Sequence, residues 1–199
     1  MAQQRTVVPL GTVFAPGGVL RCHVIGWSYS AGAREYQENG QIVVETSRGE
    51  RVRAGITIDL TIANDGYGDI PVYAEREDAT LRRIVVDAAR WIDEGQSPAP
   101  LDAETLDDLL AAQRGDPLGY VTVSGHAILI TDFHFLDVAR EWADDDGSQI
   151  TVDEDEPFRA GVIATMPRVS EGEEFPVYAE YEGNAPVRVI VDLAGPSMG

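Results

Sequence analysis

Three histidines, one cysteine and 34 acidic side chains are the groups in this 199-residue chain that could do chemistry. Asp132 and His134 stand two apart at the end of a strand-like run, so a strand continuing through Phe133 would bring both to one side. That pair is a candidate for holding a ligand. His23 and His126 stand elsewhere in the chain, without the spacing that zinc asks of three or four Cys and His ligands. The histidines therefore read as ordinary surface or loop residues. Cys22, set among Leu20 and Val24, reads as a core thiol on a buried strand. Ser124-Gly125-His126 is a turn without the Gly-x-Ser-x-Gly frame of a nucleophile elbow. A Walker-type phosphate loop needs a lysine, and the chain has none. The expectation is no catalytic set, no metal centre and no cofactor.

Two acidic runs, Asp144-Asp145-Asp146-Gly147 and Asp153-Glu154-Asp155-Glu156, are the sharpest local feature. As a calcium loop they fail. Counting from Asp144 puts Gln149 where the glycine belongs and Asp155 where a bidentate Glu belongs. The alternatives are a solvated acidic face and a docking surface formed by Asp144, Asp145, Asp146, Asp153, Glu154, Asp155 and Glu156 for a protein with a basic surface. The chain carries a net charge of −19, and its two halves differ. Residues 1–95 hold 10 Arg and 13 acids (10 − 13 = −3), and residues 96–199 hold 5 Arg and 21 acids (5 − 21 = −16). Such a balance argues against direct nucleic-acid binding, which needs a basic face to neutralise phosphates. No apolar run approaches the ~18 residues of a spanning helix, so no membrane partner is expected. The first residues do not read as a signal peptide, which makes the cytoplasm the expected compartment.

The elements that would carry these groups come twice. Pro9-Leu10-Gly11 recurs as Pro117-Leu118-Gly119, and Gln41-Ile42-Val43-Val44-Glu45 as Gln149-Ile150-Thr151-Val152-Asp153, both at an offset of 108 (117 − 9). Arg53-Ala54-Gly55 returns as Arg159-Ala160-Gly161. Pro71-Val72-Tyr73-Ala74-Glu75 returns unchanged as Pro176-Val177-Tyr178-Ala179-Glu180, and Arg83-Ile84-Val85-Val86-Asp87 returns as Arg188-Val189-Ile190-Val191-Asp192, at an offset of 105 (176 − 71). Five blocks in one order point to a tandem duplication. Within each copy, period-two runs rich in β-branched residues, separated by Pro16-Gly17-Gly18, Asn64-Asp65-Gly66 and Ser124-Gly125, predict five or six short antiparallel strands. The expected fold is mainly β, each copy a small antiparallel sandwich or barrel-like domain. A helix is expected over Asp132 to Asp144, with a shorter counterpart around Ala33-Arg34-Glu35-Tyr36.

The expected division is a first repeat over 1–95, a linker and helix over 96–116, and a second, acidic repeat over 117–199. Ser97-Pro98-Ala99-Pro100 reads as a stiff linker, and Asp102 as the cap of a helix to about Arg114. Its stripe of Leu106, Leu109 and Leu110 must be buried, most economically between the copies. At the two Pro-Val-Tyr-Ala-Glu blocks, and at Ser124-Gly125 with Ile128 to Asp132, the chain resembles a group of small bacterial proteins of uncharacterised function. Their pattern is a Ser-Gly turn between strands, then Gly-Asp-Gly leading into Tyr-Pro-Val-Tyr-Ala-Glu. The resemblance implies a β-rich fold and no particular activity. The expected function is a non-enzymatic intracellular binding protein, in the manner of an immunity protein or inhibitor for a basic partner. A structural or assembly subunit, and an enzyme or ligand-binding protein with a site between the repeats, are the alternatives.

Overall fold

The structure is a computed structural model that describes residues 5–16, 18–24, 32–60, 69–78, 80–90, 92, 98–99, 116–122, 127–135, 149–152, 158–166 and 172–194. Alternating, β-branched sequence there forms thirteen strands. They are β1 (Arg5–Phe14), β2 (Val19–Val24), β3 (Arg34–Glu38), β4 (Gln41–Glu45), β5 (Arg51–Asp59), β6 (Asp69–Glu77), β7 (Thr80–Asp87), β8 (Gly119–Thr122), β9 (Ala127–Asp132), β10 (Gln149–Val152), β11 (Phe158–Thr165), β12 (Glu174–Glu182) and β13 (Ala185–Asp192). They make two antiparallel sheets. The first has the order β1-β6-β7-β13-β12-β8 and the second β10-β11-β9-β2-β5-β4-β3. The chain is therefore mainly β, in a sandwich-like arrangement.

Strands from residues 5–87 and from residues 119–192 share both sheets. In the first sheet they meet where β7 pairs with β13, with Val85 opposite Ile190. In the second they meet where β2 pairs with β9, with Cys22 opposite Ile130. The inward-facing rows of both sheets fuse into one core that includes Leu20, Cys22, Ile56, Ile84, Val86, Ile128, Ile130, Val189 and Val191. Burying a Leu, Ile or Val side chain is worth about 1.5–3 kcal/mol, so this shared core ties the two stretches of chain together.

Two local features explain repeated blocks. Gln41-Ile42 and Gln149-Ile150 each face a β-bulge, because the register slips between Ile42 and Val43 and between Ile150 and Thr151. Ala54 and Ala160 are the extra residues. The glycine after each lies against its neighbouring strand, and a methyl group on Gly161 would sit 2.9 Å from the Ile130 carbonyl oxygen. The Arg-Ala-Gly block is thus a bulge with a close backbone approach.

The short helix expected around Ala33–Tyr36 is not formed. Arg34–Glu38 is strand β3, paired with β4 through Asn39-Gly40, both with positive φ (51° and 83°). Asn-Gly between strands is the signature of a tight hairpin turn, and it outweighs the weak helical pattern before it. At the other expected helix, Phe133–Phe135 forms one 3-10 turn, and residues 136–148 lie outside the described residues, as does the linker helix over 102–114.

Candidate functional site

The chemistry-bearing side chains of the sandwich gather in three places: the edges where the sheets meet, the outer face of the first sheet, and the loop ends. The edges come first, because the glutamine of each Gln-Ile block is used there on the other stretch of chain. Strand β8 uses one edge for β12, and the opposite-pointing amide and carbonyl of Tyr120 are taken by Gln41. Tyr120 N donates to Gln41 Oε1 at 2.8 Å, and Gln41 Nε2 donates to Tyr120 O at 2.7 Å and to Gly55 O. Strand β1 is treated the same way by Gln149. Thr12 N donates to Gln149 Oε1 at 2.8 Å, and Gln149 Nε2 donates to Thr12 O and to Gly161 O, both at 2.9 Å. Each glutamine acts as a one-residue strand that satisfies an edge and stitches one sheet to the other. The glycines beside them leave the room: a methyl group on Gly119 would lie 2.6 Å from Gln41 Oε1.

Arginines cross the same seams. Arg159 NH1 donates to Thr12 Oγ1 at 2.7 Å and to buried Asp69 at 3.0 Å. Its block counterpart Arg53 lies 4.9 Å from the ring centre of Tyr120 and 3.4 Å from Glu174. A cleft of about 270 Å³ opens beside Gln41, lined by Asn39, Ile56, Ile58, Leu118, Tyr181 and Pro186 among others. It joins residues of both sheets and of both repeated stretches, and is slightly smaller than the usual small-molecule site.

The outer face of the first sheet is laid out in three rows. Strand alternation sends Ile84 and Val86 inward, so Arg83, Val85 and Asp87 point outward. Cross-strand pairing then aligns Tyr73, Val85, Ile190 and Tyr178 as a central row. On one side of it lie Glu75, Arg83 and Asp192, and on the other Asp87, Arg188 and Glu180. Arg188 Nε donates to Asp87 at 2.8 Å, and the same guanidinium binds Glu180. Arg83 lies 3.2 Å from Glu75 and 3.5 Å from Asp192. Each arginine thus joins a carboxylate from its own stretch of chain to one from the other. Burial holds the Asp87 carboxyl above its ordinary range, against the opposing pull of Arg188 and Arg90. The phenol of Tyr73 is raised by burial and by Asp87.

The residues singled out in the sequence fare differently. Asp132 and His134 are brought together, though by a turn and not by strand alternation. The strand ends at Asp132, whose Oδ1 accepts from His134 N at 2.8 Å and lies 2.9 Å from His134 Nδ1. Asp132 is fully buried and its Oδ2 has no hydrogen-bond partner among the described residues, whereas the His134 ring is mostly exposed. An aspartate accepting from the amide two residues on is an ordinary turn closure, and no nucleophile stands beside the ring among the described contacts. His23 overturns its reading as a surface or loop residue. It is buried on β2 with Nε2 3.3 Å from Glu35, which also takes Arg21 at 3.0 Å. The outer face of the second sheet is covered there, which the alternation of β2 does not reveal. Cys22 is fully buried, and desolvation pushes its thiol up to about 12. Asp144, Asp145, Asp146, Asp153, Glu154, Asp155, Glu156 and His126 lie outside the described residues. Among the described residues no group of three or more His, Cys, Asp or Glu is placed to share a metal ion, and no helix is long and apolar enough to cross a membrane.

Sequence reasoning passed over Gln41, Gln149, Arg83 and Arg188. The signal was present, as polar residues recurring at fixed places in otherwise apolar repeated strands. The chain matches no family model, no curated protein and no solved structure in the comparisons made with them.

Proposed function

We propose that this chain is a tandem duplication, fused into one sandwich, that serves as a non-enzymatic binding protein for a partner with a basic surface. The duplication is supported by the pairing scheme. Read outward from β7·β13 and from β2·β9, the repeated blocks occur in matching order on both sides. The resemblance to small uncharacterised bacterial β proteins agrees with a unit of that size.

One observation carries the binding role: the arginines are spent internally. Of the twelve arginines among the described residues, nine (Arg5, 21, 51, 53, 82, 83, 90, 159 and 188) lie in ion pairs with the chain's own carboxylates. The chain's 34 acids outnumber its 15 arginines by 19, so the uncompensated charge facing outward is negative. A field of that sign speeds encounter with a cationic surface and disfavours anionic ones. The proposed docking residues are Asp144, Asp145, Asp146, Asp153, Glu154, Asp155 and Glu156, in the half that carries −16.

The experiment replaces those seven residues by Asn or Gln and measures association with an Arg/Lys-rich peptide, and with proteins captured from the source cell, at two salt concentrations. Stability should stay unchanged, because exposed charges contribute little. The association rate should fall, and the wild-type rate should drop with salt, since steering is screened over ~8 Å at physiological ionic strength. Equal rates and equal salt dependence for the two proteins would move the weight to the second reading. That reading is a small ligand held in the cleft between Ile58, Leu118 and Tyr181, favoured by the cleft's position on the seam.

A further inference from the structure

We propose that the cleft beside Gln41 binds a neutral hydroxylated ring of the sugar class, its C–H face on Tyr181 and its hydroxyls on Asn39, Asn184 and Asp59. This rests on the reading of the cleft as a small-ligand site and names the ligand's chemistry. It is independent of the acidic docking surface.

Two matching hairpins end differently, and the cleft lies where they differ. β6 and β7 slip register between Glu75 and Arg76 and then pair Arg76 with Leu81; β12 and β13 slip between Glu180 and Tyr181 and then pair Tyr181 with Pro186. In the first hairpin Leu81 enters the core and keeps 5% of its surface. In the second, the same position is the shorter Pro186, which lines the cleft, and Tyr181 beside it keeps 51% of its surface. The bulge itself does not demand a tyrosine, since Arg76 serves at the matching place. An aromatic ring half in water beside a cleft is apolar surface still able to stack on a guest.

The walls are fixed before any ligand arrives. Thr57 N donates to Gly40 O at 2.7 Å, and a methyl group on Gly40 would lie 3.2 Å from Thr57 O, so the Asn39-Gly40 turn is pressed onto β5. Gln41, next in the chain, ties that turn to β8 through the amide and carbonyl of Tyr120. Ile56 and Ile58, both buried, and the half-buried Leu118 thus give the cleft a preformed apolar floor, as small-molecule sites usually have.

The lining selects the class of ligand. None of its described residues is basic and Asp59 adds a carboxylate, so an anion finds no counter-charge there, and the chain's net charge of −19 opposes it. A purely apolar guest would leave the side-chain amides of Asn39 and Asn184 unused, and an ammonium group, which suits Asp59, cannot accept from their N–H groups. A sugar ring answers every part. Its C–H face covers the tyrosine ring and the apolar floor, and its hydroxyls both donate and accept, as amides and a carboxylate require. A volume of about 270 Å³ suits one six-membered ring with its hydroxyls.

The test titrates the full chain with glucose, galactose and N-acetylglucosamine, with their methyl glycosides, and with benzyltrimethylammonium and benzoate as probes of the two charged classes, reading backbone amide shifts by NMR. At least one sugar should give saturable shifts at Thr57, Asp59, Tyr181 and Asn184 and leave β10 and β11 unmoved. Binding of the methyl glycoside as well marks the end of a glycan chain as the source, and binding of the free sugar alone marks a free sugar; both support the class. Tyr181→Ala should weaken that sugar about tenfold, Tyr181→Phe should keep most of the affinity, and both should leave the melting temperature unchanged, because the side chain is half exposed. Saturation of the same amides by benzyltrimethylammonium or benzoate and by no sugar keeps the cleft as a ligand site but overturns the proposal. Shifts from none of the probes overturn the cleft reading and the proposal together, and equal sugar affinity in Tyr181→Ala and the wild type overturns the proposal alone.

Discussion

Replacing Gln149 by Ala isolates the stitch between the sheets. The amide makes three direct bonds of ordinary length, from Thr12 N and to the carbonyls of Thr12 and Gly161. At about 1 kcal/mol net each, they total about 3 kcal/mol. Thr12 is fully buried, so its stranded amide and carbonyl keep a further desolvation penalty of about 1 kcal/mol or more. Against this, freeing a glutamine returns about 1.5–2 kcal/mol of side-chain entropy. The expected loss is about 2–3 kcal/mol. With a urea slope of about 2 kcal/mol/M, the midpoint should fall by about 1–1.5 M at unchanged slope. Gln149→Glu should cost at least as much, because it keeps an acceptor for Thr12 N but turns a carboxylate oxygen toward two carbonyls. Gln41→Ala should match Gln149→Ala, and the double variant should lose the sum, since the two sites share no partner. Amide exchange should become faster at Thr12 in one variant and at Tyr120 in the other. Losses below about 0.5 kcal/mol in both single variants, the scale of an uninvolved surface change, would refute the stitch.

Two further outcomes follow from titrating groups. The Cys22 thiol, fully buried and raised to about 12, should ignore a thiol reagent at pH 8 in the folded protein and react in denaturant; reaction in the folded state would place it outside the core. Asp87 has a folded-state pKa above its ordinary value of 3.8, so the folded protein holds that proton more firmly than the unfolded chain. Its contribution to stability therefore falls as pH rises through the interval above 3.8. Asp87→Asn should flatten the dependence of melting temperature on pH there, and an identical profile in the variant would contradict the assignment.

Much of this architecture can be read from residues alone. The period-two runs marked most strands, because alternation records which side chains meet the core, and the apolar flanks of Cys22 announced its burial. Asn39-Gly40 was a legible turn signal, and reading the residues before it as helix gave a weak local pattern precedence over a strong one. The histidines show the reverse: nothing near His23 in the chain says that Glu35, from β3, will lie beside its ring.

Tertiary structure alone decided partnership. Alternation states which face a residue occupies, but not which strand lies beside it, and β7 pairs with β13 across about a hundred residues of chain. A sequence with five repeated blocks is equally compatible with two separate sheets sets or with halves that share both. What selects sharing is complementarity visible only in register: Arg83-x-Val85-x-Asp87 set antiparallel to Arg188-x-Ile190-x-Asp192 places each arginine opposite the other strand's aspartate and apolar against apolar. Gln41 and Gln149 became structural for the same reason. Their value lies in an unpaired edge supplied by a strand far away in sequence, and no local pattern encodes the position of that edge.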